Sequence, residues 1–105
     1  METNTITPET IPAPDPQVVS RIVEGEAVLL HPVQGKVRVL NDVGATVWEL
    51  LDSQRSIRQI ATAISEQFDV DLHTAEADTL NFIAELAERG MVSVTGQQSS
   101  FIGYR

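Results

Sequence analysis

The hydrophobic pattern changes period once along this chain. From residue 18 to residue 40 the apolar positions come in short runs bounded by turn residues. VVSRIV (18–23) is rich in β-branched residues and leads into Glu24-Gly25-Glu26, which reads as a turn. AVLLH (27–31) is a second apolar run, ended by Pro32, because a proline cannot donate to a ladder. Gln34-Gly35 supplies the next turn, and KVRVL (36–40) alternates polar and apolar, the period of a half-buried strand. Three short strands with turn-length links predict an antiparallel meander.

Beyond residue 40 the period becomes helical. Asn41 is placed to cap a helix over 42–52, where Val43, Val47, Leu50 and Leu51 share one face. Ser56 and Gln59 form the S-x-x-Q pattern of a capping box, followed by Ile57, Ile60, Ala61, Ile64 and Phe68 at helical spacing, so a second helix is expected over 57–68. Asp71 can cap a third over 72–89. Its stripe takes in Ala75 or Glu76, Leu80, Ile83 and Ala87, widened by Thr79, Phe82 and Leu86. Gly90 stands where a glycine closes a helix, and Met91–Val94 adds a short last strand. The third stripe is wider than one core contact requires. Phe82 and Ile83 point about 100° apart, so either both are core or one of them faces a groove.

The chain has 105 residues, one domain's worth. Four of its prolines, Pro8, Pro12, Pro14 and Pro16, fall before residue 18. Spaced prolines favour extended, solvated chain, so 1–17 is expected to be a disordered proline-rich tail, with a ligand for a proline-binding module as the alternative. The domain is then expected over 18–95, with a C-terminal tail at 96–105 whose Phe101, Ile102 and Tyr104 are much apolar surface for a free end.

Charge and composition narrow the chemistry. The formal charge is -8, and removing Glu2, Glu9 and Asp15 from the 15 acids still leaves 12 against 7 bases. This disfavours nucleic acid as a partner, since phosphate neutralisation needs clustered Lys and Arg. Cysteine is absent, which excludes disulfides, thiolate catalysis and Cys-ligated metal, and fits a cytoplasmic protein. No run is long enough to span a membrane and no secretory signal is visible. His31 and His73 lie in different elements and lack triad or metal-pair spacing. Glu76 with Asp78, and Glu85 with Glu88, read as solubilising charge. No Walker loop, dinucleotide fingerprint or EF-hand loop occurs. The chain is therefore read as a non-enzyme with no cofactor and no metal.

A binding surface is easier to argue. In a three-strand meander followed by helices, 36–40 is a candidate for an open edge, able to accept an extended peptide by strand addition. Lys36 and Arg38 lie on one face of it and Val37 and Val39 on the other. The two cations either protect the edge from aggregation or pair with acids of a partner segment.

The run V-L-L-H-P-x-x-G-K-V-R-V-L-N-D-V-G-A-T-V-W-E-L-L-D (28–52) resembles the PqqD-like proteins. S-I-R-Q-I-A-T-A-I-S-E-Q-F-D-V (56–70) is similar to their second helix, and A-D-T-L-N-F-I-A-E-L-A-E-R-G-M-V (77–92) to their third. The resemblance covers about residues 18–94. It implies an α+β, winged helix-turn-helix fold, a three-stranded antiparallel sheet followed by three helices. It also implies a function: binding the leader segment of a ribosomally made precursor peptide on the third strand and presenting it to a radical SAM protein, a cyclase or a leader peptidase. Carried over, the strand is Lys36, Val37, Arg38, Val39 and Leu40. The groove side of the helix is Ala75, Asp78, Thr79, Phe82, Ile83 and Leu86, with Lys36 and Arg38 meeting leader acids. This chain has Asp52-Ser53 where many such relatives have Asp-Gly, so a different turn is expected there.

Two other readings stand beside this one. A winged-helix DNA regulator needs a basic recognition helix, whereas the third helix sets Arg89 against Glu76, Asp78, Glu85 and Glu88. An accessory subunit that binds only a partner enzyme is the alternative, and nothing in the sequence excludes it. The open edge also permits a homodimer through strand pairing.

Overall fold

The computed structural model describes residues 6–94. In chain order the elements are β1 (Ala13–Pro14), β2 (Val19–Val23), β3 (Glu26–His31), β4 (Lys36–Leu40), α1 (Asp42–Leu50), α2 (Ile57–Phe68), α3 (Leu72–Glu88) and β5 (Val92–Ser93). The expected α+β architecture is present: β2, β3 and β4 form an antiparallel meander, and three helices follow.

Local chemistry accounts for each boundary. Val23 pairs with Glu26 across a two-residue turn in which Glu24 and Gly25 both take positive φ, the hairpin geometry that follows the sheet's twist. The Asn41 side chain accepts the Gly44 N–H at 2.7 Å and starts α1. The Ser56–Gln59 capping box is complete, with Ser56 Oγ accepting the Gln59 N–H and Gln59 Oε1 accepting the Ser56 N–H. Asp71 accepts the Thr74 N–H at the start of α3. At its end Gly90 turns left-handed (φ 74°), while Gly90 and Met91 donate to the Ala87 and Leu86 carbonyls. That is a Schellman closure.

The core lies between one face of the meander and the three helices. Leu29 and Leu40 from the sheet meet Val47, Ile57, Ile60, Ile64, Ile83, Leu86 and Met91, all buried. His31 is buried at the end of β3, where Nδ1 accepts the Gln34 N–H and Nε2 lies 3.9 Å from Asp15.

The N-terminal expectation is overturned. Residues 6–17 are not a free tail but a strap packed against the helices, so the folded unit begins before Val18. Pro12 and Thr10 are buried. The Pro8 and Thr10 carbonyls accept the Arg58 and Ile57 N–H groups at the start of α2, and Glu9 pairs with Arg58. β1 pairs antiparallel with β5, and the Asp15 main-chain N–H donates to the Met91 carbonyl. The prolines did mark extended chain. Extended chain, however, presents its carbonyls outward, and the first turn of a helix has N–H groups in need of acceptors. The proposed C-terminal tail, with Phe101, Ile102 and Tyr104, lies outside the described residues.

Candidate functional site

The strand order β2-β3-β4 makes β4 an edge among the described residues. The register shows which of its main-chain groups face away from β3. The two-residue hairpin makes Val23–Glu26 a hydrogen-bonded pair, so Glu26, Val28 and Leu30 turn their main chain toward β2. Ala27, Leu29 and His31 then turn theirs toward Leu40, Arg38 and Lys36. By alternation, the main-chain groups of Val37 and Val39 point to the open side.

Side chains of β4 alternate in the opposite sense. Val37 and Val39 are exposed on the outer face, and Leu40 is buried on the inner face. Beside that inner face runs a groove of about 670 Å3, walled by β4 on one side and α3 on the other and closed by α1. Of the residues expected there, Arg38, Val39, Leu40, Ala75, Asp78, Thr79 and Phe82 line it. Lys36 and Val37 are exposed on the strand but outside the groove. Ile83 and Leu86, both expected on the groove side, are instead fully buried core residues at 0% exposure. The wide stripe on α3 thus divides: Ile83 faces the core, and half-buried Phe82 faces the groove.

Arg38 is the most committed side chain in the site. Its Nε and Nη2 donate to Glu85 Oε2 and Oε1 at 2.7 and 3.1 Å, its Nη1 donates to the Val39 carbonyl, and its guanidinium lies 5.6 Å from the Phe82 ring centre. The hydrogen bonds from Arg38 hold the Glu85 carboxyl below the usual carboxylate range, opposed by partial burial and aided by the charges of Arg38 and Arg89. The same bond raises Arg38 above its ordinary value. Nε, Nη1 and Nη2 of Arg38 each already hold one partner within the protein, so a leader acid meeting Arg38, as expected from the resemblance, would compete with Glu85.

Sequence reasoning missed Glu85, Gly44 and the α1 residues Val43 and Val47 as groove lining. Glu85 was legible as i+7 from Asp78 on one helical face. Gly44 was legible as a lone glycine inside a helical pattern, which marks close approach. A Cβ there would lie 3.3 Å from both Phe82 Cζ and Asn41 Oδ1. Among the described residues no group of three or more His, Asp or Glu side chains is placed to hold a metal ion. What the arrangement offers is an apolar trough beside a free strand edge, the geometry that takes an extended peptide.

Comparison with known proteins agrees with this geometry. The protein with PqqA-binding activity in its name, "PqqA binding protein" of Rhizobium meliloti (strain 1021), is 29% identical over 72 residues, 69% of this chain and 71% of its own. The structure of TbiB1 in complex with the TbiA(beta) leader peptide is similar at a TM-score of 0.69 and 32% identity, over 77% of this chain and 94% of that one. The solution structure of the PqqD truncation of Methylobacterium extorquens PqqCD, described as a stand-alone recognition element for ribosomally synthesised and post-translationally modified peptides, is similar at a TM-score of 0.73 and 27% identity, over 85% and 95%. The family model for coenzyme PQQ synthesis protein D (PqqD) matches residues 26–92, from the start of β3 to the start of β5, and the chain belongs to the PqqD family.

Proposed function

We propose that this chain binds the leader segment of a ribosomally made precursor peptide as a strand added to β4, over the groove walled by α3, and presents it to a modifying enzyme. The observation that carries this reading is the outward-facing main chain of Val37 and Val39 on an edge that no described strand covers, alongside a groove; the Val39 carbonyl there already has a partner, the Arg38 side chain. Main-chain bonds to the edge give affinity, and the groove takes alternate side chains. Leader-bound TbiB1 supports it as a relative of the same fold. Lys36 to Leu40, Ala75, Asp78, Thr79 and Phe82 form the contact set, with Glu85 and Gly44 added. The enzyme is of a class that acts on peptides: a radical SAM protein, a cyclase or a leader peptidase. A cytoplasmic location suits a substrate made on ribosomes. No described helix is long and apolar enough to cross a membrane.

The test is a fluorescence-polarisation titration of the full chain against synthetic leaders of precursor peptides encoded beside its gene, with duplex DNA as control and Val39→Pro as the variant. Saturable peptide binding that Val39→Pro abolishes in a folded protein is expected, because the substitution removes an edge donor. Unchanged affinity in that variant would refute strand addition. Binding to DNA in place of peptide would restore the regulator reading, and binding to neither would leave the enzyme as sole partner. Sedimentation during the titration reports whether a second copy competes for the same edge.

A further inference from the structure

The groove carries an unexpected sign. Its charged lining residues are Glu26, Asp78 and Glu85 against Arg38 alone. Arg38 and Arg89 both turn to Glu85, so that acid is neutralised twice over, at 2.7 and 3.3 Å. Among the described residues neither the Glu26 nor the Asp78 carboxylate forms an ion pair or accepts a hydrogen bond, and both residues are exposed. A peptide acid set opposite Arg38 would have to displace Glu85 from a two-pronged contact and then lie beside it. Like charges at that distance repel. A peptide cation near Asp78 would meet an unpaired carboxylate at the wall of an apolar groove.

We propose that the groove selects an extended segment bearing Lys or Arg on the side facing Asp78 and no acid opposite Arg38. The inference rests on the strand-addition reading and adds its charge specificity. Geometry gives an approximate spacing. Asp78 and Glu85 are seven residues apart on one helix, about 10.5 Å along its axis, the span of about three residues of extended chain. The order follows from the contacts: Arg38 meets Glu85, while Gly44, further along the chain, meets Phe82. α3 therefore runs counter to the path from β4 into α1. A segment antiparallel to β4, the pairing used throughout this sheet, passes Asp78 before Glu85. Side chains on one face of a strand recur at every second residue, so the cation precedes the residue opposite Arg38 by an even spacing, about two to four positions.

The probe is a fluorescein-labelled positional-scanning set of short, end-blocked peptides on a Val/Ser background, each position cycled through Lys, Asp, Asn and Leu. It is titrated against the full-length protein, Asp78→Asn and Glu49→Gln. Glu49 is an exposed acid on α1 outside the groove, so its variant removes the same charge elsewhere. Lys at one position should tighten binding about threefold or more over Asn, and Asp there should weaken it, with the difference shrinking as salt is added. Asp78→Asn should erase that Lys preference and leave preferences for Leu unchanged, whereas Glu49→Gln should keep it. A preference for Asp, a Lys preference untouched by Asp78→Asn, or one lost equally in Glu49→Gln would overturn the charge proposal while strand addition stands. If no peptide in the set binds, and Val39→Pro changes nothing, strand addition and this inference fall together.

Discussion

Arg38 on β4 and Glu85 on α3 join the two walls of the groove through a two-pronged ion pair, with Nε and Nη2 each meeting one carboxylate oxygen. The guanidinium also lies over Phe82 and bonds the Val39 carbonyl, so one side chain links strand edge, helix and groove. The pair is partly open to solvent, at 29% and 36% side-chain exposure. Its worth is therefore that of a well-shaped surface pair, about 0.5–1 kcal/mol.

Glu85→Gln should cost about that amount at neutral pH. The sign of its pH dependence follows from the lowered Glu85 pKa. The contribution is present above the unfolded carboxylate value, about pH 4.3, and is lost as pH falls through the lower folded value. Urea unfolding at neutral and strongly acidic pH should show the gap between wild type and Glu85→Gln closing in acid. A gap that widens in acid would contradict the assignment of Arg38 as the partner that lowers this carboxyl.

Gly44 should control the depth of the groove at its α1 end. Gly44→Ala gains about 1 kcal/mol of helix propensity, offset by a Cβ held 3.3 Å from Phe82 Cζ and Asn41 Oδ1. The expected outcome is a thermal midpoint near wild type with weaker peptide binding, because Phe82 must give way into the groove. A paired melt and titration checks this. Full binding with a lowered midpoint would make Gly44 a packing residue only.

Most of the scaffold was readable from residue chemistry. Asn41, Ser56-Gln59, Asp71 and Gly90 each act as expected because capping is decided within one helical turn. The open edge at 36–40 followed from chain order. Three things were not readable. The strap was missed because prolines report local conformation, while its acceptor role depends on where the start of α2 lies in space. Ile83 and Leu86 were assigned to the groove because a stripe does not say which half of it faces which neighbour. The fate of Arg38 depended on Glu85, 47 positions away. No local pattern couples those two positions.

The Asp52-Ser53 turn after α1 keeps a geometry that glycine would suit better. Ser53 sits at φ 65°, in the left-handed region, and Asp52 Oδ1 accepts the Gln54 and Arg55 N–H groups at 2.9 and 2.8 Å. Those bonds hold the Asp52 carboxyl below its usual range. Ser53→Gly should stabilise the protein by about 0.5–1 kcal/mol, since relief of left-handed strain exceeds the added freedom of the unfolded chain. A raised denaturation midpoint with unchanged slope is the expected signature. A lowered midpoint would show that the serine side chain contributes a contact there.

Removing residues 1–12 should test the strap most directly. The deletion takes away two acceptors for the first N–H groups of α2 and the burial of Pro12. Two backbone bonds at about 1 kcal/mol each, and about 1–2 kcal/mol for the buried ring, predict a loss of about 3–4 kcal/mol. That is a large share of the stability of a domain this size. Because the strap packs on the start of α2 and on β5, away from β4, the shortened protein should still bind peptide at temperatures where it remains folded. Hydrogen exchange would localise the loss, with the Ile57 and Arg58 amides losing protection first. Equal protection of those amides with and without the strap would mean that the capping box alone holds the start of α2, and that the carbonyls of Pro8 and Thr10 add nothing to it.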